Sequence, residues 1–241
     1  VAAPTAAGGV PLASPSRSLL ASPTPSGSAP PATAAVTVDA SGRSQASGAT
    51  SLSWSQPVHG GSRLLVAEVS VGVFVDFGCS LSASDNGTAM RRLSTVHDDS
   101  SPTGFHGVFY RVAPPTGTNT ITAQLTGCTA DELTGGSVSF NGVSQSAPLG
   151  SAVTATGDST TASATVRGTH SGDLVVGFVS CGSAIQATRA PSTRRFLQNG
   201  DDFTGAGNSA GATQLSSGGS NRLAWSVVSD VWGVTAVEVR S

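Results

Sequence analysis

The run from Arg63 to Phe77, RLLVAEVSVGVFVDF, constrains the fold more than any other stretch of the chain. Leu65, Ala67, Val69, Val71, Val73, Val75 and Phe77 take its odd positions, while Glu68, Ser70, Gly72 and Asp76 take even ones. Side chains of a strand point alternately to its two faces, so this period of two predicts a β-strand. Its odd face should be buried, with Glu68 and Ser70 exposed on the other.

Shorter runs of the same kind follow at regular spacing. GVFYRVAPPTGTNTITAQLTG reads as strand, turn, strand, with Pro114-Pro115-Thr116-Gly117 as the turn. SVSFNGV around Phe140, TASATVRG near Val166, DLVVGFVS from Asp173 to Ser180, RLAWSVV from Arg222 and VTAVEV near the end are further strands. Asp85-Asn86-Gly87 and Phe140-Asn141-Gly142 are hairpin signals, because primed turns need the positive φ that Asn-Gly accepts. Helix is nearly absent from this reading; TADEL at 129–133 is the one candidate for a helical turn. The expected class is all-β, an antiparallel β-sandwich of jelly-roll type spanning residues 36–241. Two smaller sandwiches split near residue 150 are the competing arrangement.

Residues 1–35 have a different composition. They hold seven of the 13 prolines, and their larger apolar side chains are Val10, Leu12, Leu19 and Leu20. Such a segment cannot form its own core and reads as an extended Pro/Ser/Ala-rich arm or linker. Those four residues are its candidate anchors on a neighbouring subunit.

The 12 positive charges, all Arg, against 14 acidic residues give a net charge of −2, too balanced for a nucleic-acid surface. Arg91-Arg92 and Arg194-Arg195 are too few to line a groove. No window approaches 18 apolar residues, so no membrane span is expected. Three cysteines without CxxC spacing write neither a zinc site nor a disulfide framework, and at most one bridge can form within the chain. Cys79 and Cys181 each follow a strand-like run, and they can pair only if those runs end side by side.

NGTAMRRLSTV, GVFYRVAPPTGTNTITAQLTG, GGSVSFNGVSQSAPLG, GDLVVGFVS and the closing strand with Trp232-Gly233 together resemble Gly/Ser/Thr-rich β-sandwich modules of phage virion proteins and bacterial surface proteins. The resemblance covers roughly residues 60–241 and rests on turns and strands. It implies a sandwich used for display, attachment or capsid decoration, and it carries no functional residue with it.

No set of residues names a reaction. Gly207-Asn208-Ser209-Ala210-Gly211 matches the G-x-S-x-G elbow of α/β-hydrolases, but no helix follows it, so Ser209 is expected in a loop without a histidine partner. His97-Asp98-Asp99, His106 and Asp201-Asp202 offer imidazole and carboxylate ligands, yet their spacing aims no two side chains together, and a solvated loop is the expectation. Glu68, Glu132 and Glu238 are the only Glu residues, and Glu68 and Glu238 fall at polar strand positions expected to face solvent. Trp54, Phe105, Tyr110, Trp225 and Trp232 suit a sugar-stacking platform but are needed first to fill a core. No catalytic residue, metal or cofactor is therefore expected. The expected protein is a non-enzymatic structural or interaction module at a virion surface or in an extracellular filament. Its partners would be neighbouring copies or a major structural protein of the assembly. The alternative is a carbohydrate-binding or adhesion module that meets cell-surface carbohydrate.

Overall fold

A computed structural model describes residues 1–4, 8–9, 35–73, 78–98, 104–200 and 207–241. The chain divides into two units, Val1–Ala32 and Thr33–Ser241. In the first, the described residues are exposed and carry no regular structure. Val10, Leu12, Leu19 and Leu20, the expected anchors, lie outside the described residues, as do Val75, Asp76 and Phe77.

The second unit is all-β and antiparallel, with no helix among the described residues. A first sheet joins β1 (Thr37–Ala49), β9 (Ala130–Asn141), β3 (Leu64–Gly72), β7 (Phe105–Val112) and β6 (Arg91–His97), in that spatial order. A second joins β2 (Ser51–Val58), β8 (Gly117–Thr126), β4 (Ser80–Asp85) and the short β5 (Thr88–Ala89). The third contains β10 (Val153–Cys181), β13 (Asn208–Val239), β11 (Ile185–Thr188) and β12 (Thr193–Asn199).

The third sheet folds over on itself, because β10 and β13 are far longer than one layer of a sandwich can use. Residues 174–181 of β10 pair on one side with 208–215 and on the other with 232–239, while 153–159 pair with 230–236. The pairing then continues between 161–171 and 217–226 as a second leaf. One corner is an irregularity between Ser159 and Thr161. At the other, Gly168, Gly172, Gly218 and Gly219 all have positive φ, between 69° and 92°, which a side chain would resist. Ala162, Ala164, Val166, Val175, Val179, Leu223 and Trp225 fill the space between the leaves.

The first sheet is covered on both faces. Leu65, Ala67, Val69 and Val71 of β3 pack with Leu52, Trp54, Ile121 and Leu125 of the second sheet. Leu64 and Val66 pack from the opposite face with Val176, Phe178, Phe196 and Val237 of the third. Every residue of β3 is buried, and this corrects the expectation of a wet face: Glu68 and Ser70 are 0% exposed. Alternation reports a difference in polarity between two faces. It does not report whether a further sheet covers the polar one.

Other expectations resolve locally. Asn86 and Gly87 have φ of 47° and 76° and turn β4 into β5, as expected of a primed hairpin. Gly142 also has positive φ, but there the chain leaves the first sheet for the third, so no hairpin forms. TADEL is no helical turn; from Ala130 onward it belongs to β9, where pairing with β1 and β3 overrides local preference. The disulfide joins Cys79 to Cys128 and not to Cys181. Ser80 pairs with Thr126, so the first two cysteines flank the same end of the β4/β8 ladder, whereas Cys181 is buried within the third sheet.

Candidate functional site

Along the interface between the first and third sheets, the contacts change from apolar to polar. Glu68 and Ser70 on β3 continue the face that carries Leu64 and Val66. His106 on β7 and Thr134 on β9 are the cross-strand partners of Ser70. Asp98 follows β6 directly, and the third sheet contributes Ser180, Ser209 and Thr235. All of these side chains are buried.

The geometry links several of them. Ser180 Oγ donates to Asp98 Oδ2 at 2.5 Å. His106 Nδ1 lies 3.7 Å from Asp98 Oδ1, too long for a hydrogen bond but close enough for electrostatic contact. On the other side of the ring, Nε2 is 2.9 Å from Thr235 Oγ1, which in turn lies 2.8 Å from Ser94 Oγ. Gly233 is required beside this group, since a Cβ there would stand 2.5 Å from Asp98 Oδ1. Burial pushes the Glu68 carboxyl well above the usual carboxylate range, the nearby Asp98 charge pushes it further, and the Ser209 hydroxyl opposes both. Neither Glu68 oxygen makes a hydrogen bond of ordinary geometry. A carboxyl so placed favours its neutral form.

The remaining expected sites disperse. Ser209 lies on β13, not in a loop, and faces Glu68; its hydroxyl makes no hydrogen bond to histidine. Gly207 to Gly211 form no elbow. A Cβ on Gly211 would stand 2.4 Å from the Phe196 ring, so interlayer packing accounts for that glycine. The solvated loop expected around His97 is corrected too, because Asp98 and His106 are interior; His97 itself is exposed and leans on Phe105, ring centroids 5.5 Å apart. Asp99, Asp201 and Asp202 lie outside the described residues. Asp85 is buried and pairs with Arg111 at 2.9 Å.

Glu68, Glu132 and Glu238 are all buried, which corrects the surface expectation for Glu68 and Glu238. Ser47 Oγ donates to Glu132 Oε2 at 2.5 Å, and Arg240 Nε donates to Glu238 Oε2 at 2.8 Å. Trp54, Phe105, Trp225 and Trp232 are core residues, and Tyr110 is half-buried, so these rings make no exposed platform. Arg92 stands over the Phe109 ring, 5.6 Å from its centroid, and Arg195 donates to Thr213 Oγ1 at 2.6 Å.

Ser180 and Thr235 escaped the sequence reading because a single Ser or Thr in a strand carries no signal of what faces it. No protein-family model, curated protein or solved structure matches the chain.

Proposed function

We propose that this chain is a non-enzymatic structural module displayed on an assembled surface, a virion or an extracellular filament, and joined to it through residues 1–35. The observation that carries the reading is the sealing of the dense group of ionisable and hydroxyl side chains between the first and third sheets. Glu68, His106, Ser180 and Ser209 are 0% exposed and Asp98 is 1% exposed. A substrate must reach hydrogen-bond distance of a catalytic group, and a constellation closed between two sheets serves cohesion instead.

Two further features support it. The Cys79–Cys128 bridge fits an oxidising setting such as an extracellular or virion surface. The outer face of the second sheet bears Ser51, Ser53, Ser55, Thr120, Thr122 and Gln124 without a charge, a surface that neighbours can approach closely without desolvating ions. The carbohydrate alternative loses its aromatic platform, since four of its five rings are core residues.

The partners in this reading are neighbouring copies or a major structural protein of the assembly. The test is deletion of residues 1–35. Each buried Leu or Val of the arm would contribute roughly 1.5–3 kcal/mol, so Val10, Leu12, Leu19 and Leu20 would be its main anchors. The truncated chain should stay folded but no longer cosediment with the particle or filament. Undiminished cosedimentation would place attachment on the β unit.

A further inference from the structure

A second group of ionisable side chains lies where β10 turns between the two leaves of the third sheet. His170 sits in the bend between Gly168 and Gly172, whose φ values are 69° and 92°. Asp173 follows three residues later, and Glu238 comes from the far end of β13. His170 Nδ1 lies 3.1 Å from Glu238 Oε1 and 3.8 Å from Asp173 Oδ2, and the three ligand atoms are all within 4.8 Å of one another.

The two carboxylates are buried and held from behind. Asp173 Oδ1 accepts from the backbone N–H and the hydroxyl of Ser241, each at 3.0 Å, which leaves Oδ2 turned to the histidine. Arg240 Nε holds Glu238 Oε2 at 2.8 Å, which leaves Oε1 turned the same way, with a 2.5 Å bond from the His170 backbone N–H. Bonds to the far oxygens orient the near ones, as outer partners orient ligands around metals. The His170 side chain is 68% exposed, so the open side of the group meets solvent.

We propose that His170, Asp173 and Glu238 bind one divalent cation of the zinc type. One imidazole nitrogen and two carboxylate oxygens form a donor set for zinc, whereas calcium asks for six or more oxygens. Tetrahedral zinc with ligands at 2.0–2.2 Å sets neighbouring donors about 3.4 Å apart. The two separations from Nδ1 bracket that value. Arg240 removes one negative charge from the pocket, and the two carboxylates still leave it a net charge that favours a cation.

Isothermal titration of the full chain with zinc chloride tests it. The expected result is one saturable equivalent, weakened at least tenfold in His170→Ala and in Asp173→Asn, with no comparable binding of magnesium. His170 is exposed, so its replacement should leave the fold intact, and circular dichroism of the variant checks this. In a nitrogen-detected NMR titration, the His170 ring signals should move while those of His59, His97 and His106 stay. Absence of saturable zinc binding, undiminished affinity in a folded His170→Ala variant, or movement of another histidine in place of His170 each overturns the proposal.

Discussion

At the scale of single residues, Glu68 has the largest consequence for stability. Its carboxyl titrates at ordinary pH in the unfolded chain but well above that in the fold, where burial and the Asp98 charge disfavour the anion. The folded protein therefore holds more protons than the unfolded one between those two values, and stability must fall as pH rises through that window. Glu68→Gln keeps the shape without the charge. Urea unfolding should give variant and wild type similar stabilities near pH 4, with the variant the more stable at pH 8. A variant less stable than wild type at pH 8 but not near pH 4 would mean that Glu68 ionises against a partner in the fold. Gly211 makes a second residue-scale prediction. Its missing Cβ accommodates the Phe196 ring, so Gly211→Ala should cost about 1–3 kcal/mol by overpacking, read as a lower urea midpoint.

Strands were more legible than their surroundings. The alternation at 63–77 located β3, and Asn86-Gly87 located the β4/β5 turn, because both signals are local and steric. Two-sided burial of β3 depends on residues 174–239, more than a hundred positions away, and no local pattern reports their arrival. Separation along the chain also hid the group at His170, whose partner Glu238 is 68 residues further on. Cys79 pairs with Cys128 and not with Cys181 because pairing follows strand neighbours, and β4 lies beside β8 rather than β10. The bridge closes the end of that ladder across a sequence separation of 49. Replacing Cys79 and Cys128 together by Ser should cost about 2–4 kcal/mol, mainly by freeing the unfolded chain, and lower the melting temperature without changing the far-ultraviolet spectrum. An unchanged melting temperature would show that the ladder holds without its staple.

Across the molecule, the interface between the first and third sheets decides whether residues 33–241 behave as one body or two. A cut near residue 150 would separate the first and second sheets from the folded third sheet, each with its own internal apolar cluster. It would also split a third cluster, leaving Leu64, Val66, Val138 and Phe140 on one piece and Val176, Phe178, Phe196 and Val237 on the other. These side chains are buried in the whole unit, and exposing eight of them at roughly 1.5–3 kcal/mol each would cost about as much as a domain's whole net stability. The polar end adds to this, since Asp98 would lose Ser180 and His106 would lose Thr235. Calorimetry of residues 36–241 should therefore show one transition, with calorimetric and van't Hoff enthalpies equal. A fragment of residues 150–241 expressed alone should bind a hydrophobic dye and aggregate. Two separate transitions, or a monomeric dye-free fragment, would mean that two sandwiches merely rest against each other.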